Sequence, residues 1–342
     1  MSFPSPDPRA RALAEARQAA LVKPRGALGQ LETVACWLAA RQQRAIPKRV
    51  TPAITVFAAD HGVARSAVSA YPQSVTAQML ASLTSGGAAI SVLARTIDAP
   101  LTIVDVGVAT NAPPPPGVRN ERIAPGTRDI TLEPAMTLEQ ARQALATGAR
   151  YAASMIERGA DLLIAGEIGI GNTTSSACIV AAALGTDPER VVGHGSGIST
   201  EQRARKVEVV RQALARCQDR SDGVTLLAEL GGFEIGAMAG LYLEAARAGI
   251  PCVLDGFISS AAALIACRID ERVREWLLAS HLSCEQGHAA VLEELRLEPL
   301  IKCGLRLGEG TGAALAVPMI QAAIRLHAEM ATFAEAGVSD SV

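Results

Sequence analysis

"DLLIAGEIGIGNTTSSACIV" (residues 161–180) decides the fold. Its first half is an apolar run of strand length that ends on Glu167 and Gly169, and its second half is a set of small, hydroxyl-bearing residues of the kind that open a helix. Three other runs end alike: "AITVFAADHG" (53–62), "LTIVDVG" (101–107) and "PCVLDG" (251–256). Each places an acid within two residues of a glycine. Between them lie stretches of helical period, such as 137–160, opened by the capping box Thr137 with Gln140, and 199–217, opened by Ser199 with Gln202. Buried strands alternating with helices predict a parallel sheet covered on both faces, because parallel neighbours need crossover connections. In open sheets of this kind ligands bind beyond the carboxyl ends of the strands. Asp60, Asp105, Glu167 and Asp255 are therefore expected along one rim. Any one of them alone reads equally well as a cap or turn residue; four together indicate a site.

Outward from this frame, residues 1–50 and 313–342 are helical in pattern and are expected to pack as a small domain in which the chain ends meet, with 51–312 forming the large α/β domain. The proline run "NAPPPPGVRN" (111–120) is an extended loop too short to separate domains. Small residues at Gly232, Gly236, Ala239 and Gly240 mark a close helix contact, with a second subunit as one candidate partner.

Bulk properties exclude several classes of function. With 32 basic against 34 acidic residues in a chain of 342, there is no nucleic-acid footprint, and a small-molecule partner is expected. The N-terminus carries prolines and charges where a signal peptide has an apolar stretch, and no apolar run is read as long enough to span a bilayer. Seven cysteines are scattered singly, mostly in apolar runs, and read as reduced core thiols of a cytoplasmic protein. No metal site is expected: of five histidines only His281 and His288 have a helical spacing, and they lack a third ligand. Asp60 and His61 with the nearby serines lack the elbow motif of a Ser/His/Asp triad.

The chemistry is expected in two glycine loops. Gly169 and Gly171 let a ligand approach the backbone, and Asn172, Thr173, Thr174 and Ser175 supply donors at a helix N-terminus, where an anion is favoured. The segment lacks the Gly-Lys-Ser/Thr ending of a Walker loop and the order of a dinucleotide fingerprint. A glycine turn with a threonine cap is the structural alternative. "GHGSGIS" (193–199) precedes the helix bearing Lys206, and the two loops could surround one phosphate with Lys206 as its point charge.

Taken in order, "GALGQLE" (26–32), "DHGVARSAVSAYPQSVTAQM" (60–79), "GTRDITLEPAMT" (126–137), "GEIGIGNTTSSA" (166–177), "GHGSGIS" (193–199), "LAELGGFEIGAMAG" (227–240), "VLDGFISSAAALIA" (253–266) and "LRLGEGTGAALA" (305–316) resemble the nicotinate-nucleotide:dimethylbenzimidazole phosphoribosyltransferases across nearly the whole chain. The resemblance implies a Rossmann-like large domain, a small helical domain from both chain ends, a homodimer, and no metal or cofactor. The implied reaction moves phosphoribose from nicotinate mononucleotide to 5,6-dimethylbenzimidazole, giving α-ribazole 5'-phosphate for the lower ligand of cobalamin. It also implies Glu309 as general base, Gly169 to Thr174 and Gly195, Ser196 and Gly197 with Lys206 as phosphate site, and Ser69, Tyr71, Gln78 and Leu307 as base pocket. The chemistry adds Glu167, a second carboxylate placed to face the positive charge that develops on the ribose. Two other readings stand beside this one: a related phosphoribosyltransferase for a different base, and a non-catalytic nucleotide-binding protein on the same fold.

Overall fold

The computed structural model describes residues 3–195 and 197–339. Among them six strands, β1 (Pro52–Ala59), β2 (Leu101–Gly107), β3 (Val118–Asn120), β4 (Leu162–Ile168), β5 (Cys252–Leu254) and β6 (Leu277–Ala279), form one sheet in the order β3-β2-β1-β4-β5-β6. Every pair is parallel. This is the doubly wound order, whose crevice opens where β1 and β4 lie side by side although their chain connections run in opposite directions.

All eight residues of β1 are buried, as a strand covered on both faces requires. Alternate side chains feed two cores: Ala53, Phe57 and Ala59 join Leu163 and Ala165 on one face, and Ile54, Val56 and Ala58 join Leu162 and Ile164 on the other. Among the described residues twelve helices dress the sheet: α1 (Pro8–Ala20), α2 (Gln30–Arg41), α3 (Ser74–Ser85), α4 (Ala89–Thr96), α5 (Leu138–Glu157), α6 (Asn172–Leu184), α7 (Thr200–Arg216), α8 (Gly223–Leu230), α9 (Phe233–Ala248), α10 (Phe257–Ile269), α11 (His288–Leu295) and α12 (Thr311–Glu329), with a single further turn, α13 (Phe333–Ala336). Both expected capping boxes form, Thr137 with Gln140 and Ser199 with Gln202.

The small residues of α9 pack within the chain. A β-carbon at Gly240 would overlap the Leu145 carbonyl, and one at Gly148 of α5 would overlap the Ala237 carbonyl. The two helices thus touch backbone to backbone, and the partner of that stripe is α5, not a second subunit. α1, α2 and α12 bring the chain ends together: Leu21 bridges to Thr332, and Arg17 donates to the carbonyls of His327, Ala328 and Met330 at the C-terminus of α12. The division expected after residue 312 falls in the first turn of α12, whose Ala313, Ala314 and Val317 share a core with Ile54 and Val56.

Two further expectations change. Cys284 and Cys303 are exposed rather than core thiols, because both lie on the irregular segments after β6 and α11. His281 and His288 do not share a helix: one follows β6 and the other opens α11. The stretch Ser74–Thr96 is, by length and composition alone, apolar enough to cross a membrane. The chain breaks it into α3 and α4 at Gly86, whose φ of 85° ends the first helix.

Candidate active site

A cleft of about 430 Å³ opens over the carboxyl ends of β4 and β5. Its floor is the loop from β4 to α6, with Gly169 and Gly171; its far wall is the Arg306–Glu309 segment before α12; Ser69, Tyr71, Val75 and Met79 close one side.

Glu309 reaches this position through an unusual backbone. Gly308, Glu309 and Gly310 have φ of 88°, 63° and 90°, three successive left-handed residues. For a glutamate that conformation costs about 1 to 2 kcal/mol, so the surroundings must impose it. They do so from two sides. Asp255, at the end of β5, accepts from Gly310 N (3.1 Å), Gly312 N (2.7 Å) and Ala313 N (3.1 Å), which anchors the first turn of α12. A β-carbon at Gly166 of β4 would overlap the Glu309 carbonyl, so the loop lies directly on the strand. One Glu309 oxygen lies 3.5 Å from Ile90 N, in the first turn of α4.

Glu167 lies beside it. A side chain at Gly308 would collide with Glu167 Oε1, and Asn172 Nδ2 holds the other oxygen through a short hydrogen bond. Burial pushes Glu167 well above the usual glutamate range, and the charges of Asp255, Glu234 and Glu309 push the same way. Burial, and then the Asp255 charge, raises Glu309 too, while Ile90 N–H opposes the rise. Asp255 itself is pushed up to about 6 by burial, against four backbone donors. The wall of the cleft is thus a set of buried carboxyl groups that all hold a proton more tightly than a free carboxyl does.

The anion end is built differently. Lys206, fully buried on α7, donates to Thr173 Oγ1 at 2.7 Å. A β-carbon at Gly195 would sit 3.2 Å from both Lys206 Nζ and Thr173 Oγ1, so the two glycine loops and the lysine do converge. Burial lowers the lysine to about 8, which still leaves it mostly cationic at neutral pH. Arg306 Nη1 donates to Gly195 O at 3.3 Å, adding a second cation. Together with the N-terminus of α6, these two cations form an electropositive end of the cleft, where negative charge is favoured.

Over residues 3–338 the chain matches the family described as phosphoribosyltransferase. It belongs to that family. A nicotinate-nucleotide–dimethylbenzimidazole phosphoribosyltransferase from Chromobacterium violaceum is 52% identical over 334 residues, covering 97% of each chain. The protein of the same name from Azotobacter vinelandii is 50% identical over 98% of this chain and 96% of its own. The crystal structure of CobT from Thermus thermophilus superposes with a TM-score of 0.94 at 48% identity, covering 98% of this chain and all of that one.

Within this phosphoribosyltransferase the cleft gathers Ser69, Tyr71, Glu167, Gly169, Gly171, Asn172, Thr173, Gly195, Leu307 and Glu309 of the expected residues. Lys206 joins them through Thr173. Gly197 stands one step back, its missing β-carbon 4.0 Å from Arg306 Nη1. Ser196 lies outside the described residues. Two residues fall elsewhere. Gln78 is exposed on α3 and does not line the cleft, which Val75 and Met79 face instead, because that face of the helix is shared by positions i and i+4. Thr174 is fully buried beneath the loop, its hydroxyl without a partner among the described residues.

The rim of four acids also divides. Glu167 and Asp255 face the cleft, whereas Asp105 accepts from Gly107 N (3.0 Å) and Val108 N (2.8 Å) and pairs with Arg122 (2.6 Å). Asp60 accepts from Thr76 and from Ala109 N. Arg306 was not among the expected residues, although it stands in the same motif as Glu309, three positions earlier. Ser283, Glu285 and His281 also line the cleft and were not among the expected site residues, although the stretch 280–288 that holds them resembles the same family.

Proposed function

We infer that this chain transfers the 5-phosphoribosyl group of nicotinate mononucleotide to 5,6-dimethylbenzimidazole, forming α-ribazole 5'-phosphate and nicotinate for the cobalamin lower ligand. The observation that carries the mechanism is the pairing of an acid wall, Glu309 beside Glu167, with a cationic phosphate end at Thr173, Lys206 and Arg306 in one cleft.

The phosphate sits against the α6 N-terminus with Lys206, and the benzimidazole lies between Tyr71, Met79 and Leu307. The unprotonated ring nitrogen forms a bond to C1' as the C1'–N bond to the pyridinium breaks, the electron pair remaining on the nicotinate nitrogen. Nicotinate therefore leaves without a general acid. The change from a β to an α bond requires attack on the face opposite the leaving base. Glu309, whose affinity for a proton is raised by burial, takes the N–H proton of the benzimidazole. Glu167 in its anionic form faces the positive charge that develops on the ribose. No step needs a metal or a cofactor.

The chain acts as a homodimer in this reading. Tyr71 and Leu307, at the mouth of the cleft, are 54% and 59% exposed, large apolar side chains that a second copy would cover. The described cysteines are free thiols, in keeping with the cytoplasm. The small helical domain of this reading, drawn from residues 1–50 and 313–342, is built on α1, α2 and the later turns of α12, the first turn of α12 staying with the sheet.

Purified protein mixed with nicotinate mononucleotide and dimethylbenzimidazole is expected to release one nicotinate for each α-ribazole phosphate formed, followed by chromatography. Tight nucleotide binding with no nicotinate released would replace this reading with a non-catalytic one.

A further inference from the structure

We propose that Thr76 is a positioning residue that holds the base-side helix α3 in register with the nucleotide loop, through a relay that ends on Asp60. Its hydroxyl donates to Asp60 Oδ1 at 2.6 Å and accepts from Ile170 N at 3.1 Å. Thr76 and Asp60 are both buried. Because Asp60 takes the hydroxyl hydrogen, a lone pair of the same oxygen is left for Ile170, and both ends of the relay are fixed by one side chain.

The two ends belong to different halves of the cleft. Ile170 lies between Gly169 and Gly171 in the floor of the nucleotide site; Val75 and Met79, flanking Thr76 on α3, form the side where the base is read to lie. The relay has a firm footing. Asp60 Oδ2 accepts from Ala109 N at 2.8 Å, its backbone oxygen accepts from Thr127 N at 2.9 Å, and its N–H donates to Gly107 O at 2.9 Å. A second tie, Gln73 Nε2 to His61 O at 3.0 Å, fastens the start of α3 to the end of β1. Within α3, among the described residues, the Thr76 hydroxyl is the group that hydrogen-bonds across to the loop at residues 169–171. A loss of that hydroxyl therefore frees the base-side wall to shift against the nucleotide, and a misplacement of about 1 Å is enough to slow a displacement reaction.

This inference rests on the phosphoribosyl-transfer reading, and the experiment separates the two. Steady-state kinetics with both substrates varied are compared for wild type, Thr76→Val, which keeps the shape and removes both hydrogen bonds, and Thr76→Ser, which keeps both. Thr76→Val is expected to raise the KM for dimethylbenzimidazole about tenfold, the size of one lost buried hydrogen bond, and to lower kcat as well. Thr76→Ser should stay within about threefold of wild type on the same scale. A purely structural role would lower the amount of folded enzyme and leave KM unmoved. Thr76→Cys, close in volume with a weak donor, provides a folded intermediate case if the valine variant does not accumulate, and is expected between the other two. An unchanged KM for the base in the valine or cysteine variant, or a serine variant as impaired as valine, overturns the proposal. Absence of turnover in the wild type instead defeats the reading of the reaction.

Discussion

The ends of β1 and β2 and the ends of β4 and β5 carry one sequence signature, an acid close to a glycine, yet the two regions use it in opposite ways. At β1 and β2 the carboxylates are supplied with donors: Asp105 has two backbone N–H groups and Arg122, and Asp60 has Thr76 and Ala109 N. At β4, among the described residues, Glu167 has only the Asn172 amide, and Glu309, beside it, has one long contact to Ile90 N. Asp255 stands between the two kinds, facing the cleft while its oxygens hold the first turn of α12. The length of the side chain explains much of this. Asp105 reaches the backbone of its own turn and Asp60 the segments packed beside it, so both are used up at the strand end, whereas the longer glutamates carry their carboxylates beyond those donors and into the cleft. An acid left short of donors and buried binds its proton more tightly, which is the property a base near neutral pH requires.

The sharpest way to break the comparison is to neutralise one acid of each kind. Glu309→Gln is expected to lower kcat by about a hundred- to ten-thousand-fold, the worth of general-base catalysis, while nucleotide binding measured by calorimetry stays within about threefold. Turnover close to wild type would remove Glu309 from the mechanism. Asp105→Ala should do the reverse. It strands Arg122 and two backbone donors, so thermal or urea unfolding should show a loss of about 3 kcal/mol, with kcat unchanged when assayed well below the melting temperature. A stable variant with a large fall in kcat would show that the rim acids had been divided wrongly.

A smaller effect is expected at the anion end. Lys206→Met keeps the buried stem and removes the charge, so the KM for nicotinate mononucleotide should rise about ten- to a hundredfold, the worth of a hydrogen bond to a charged group. The KM for dimethylbenzimidazole should hardly move. A change confined to the base would separate Lys206 from the phosphate.

Much of this division could be read from the chain before its fold was seen, and the exceptions have a common cause. The strand ends, both capping boxes and the convergence of Thr173, Gly195 and Lys206 follow from local pattern: a run of apolar residues, a spacing of three, a glycine beside a hydroxyl. What local pattern does not contain is the direction a side chain takes once its element is packed. Gln78 and Met79 are neighbours in a helix, and only the docking of α3 decides that methionine faces the cleft. The small residues of α9 announce a close contact without naming its partner, which proves to be α5. Thr76 looks like any buried threonine on an amphipathic helix, since its two partners lie 16 and 94 positions away. Arg306 was hidden by the acid next to it: the glycines around Glu309 drew the reading to the base and away from the cation.

The finest test concerns the interaction between the two glutamates themselves. The Glu309 charge raises Glu167, and because the interaction is mutual, Glu167 in its anionic form must hinder deprotonation of Glu309. The catalytic base is the anion, and its proton is held above the ordinary glutamate value by burial, so kcat/KM should increase as pH rises through a midpoint above 4.5. Glu167→Gln should leave that midpoint almost unmoved, because Glu167, held well above the glutamate range, is still protonated while Glu309 ionises, and should lower the rate at higher pH, where the wild-type residue becomes an anion facing the ribose. The sign of the stability change is opposite to that of a salt-bridged acid. Asp255, pushed up to about 6 from its ordinary 3.8, binds more protons in the folded than in the unfolded chain between those values, so its contribution to stability declines as pH rises across that window. Activity should therefore climb over part of the same range in which unfolding becomes easier. A pH profile of kcat/KM and one of melting temperature, measured on the same protein, should run in opposite directions there, and parallel curves would mean that burial does not set the protons of this wall.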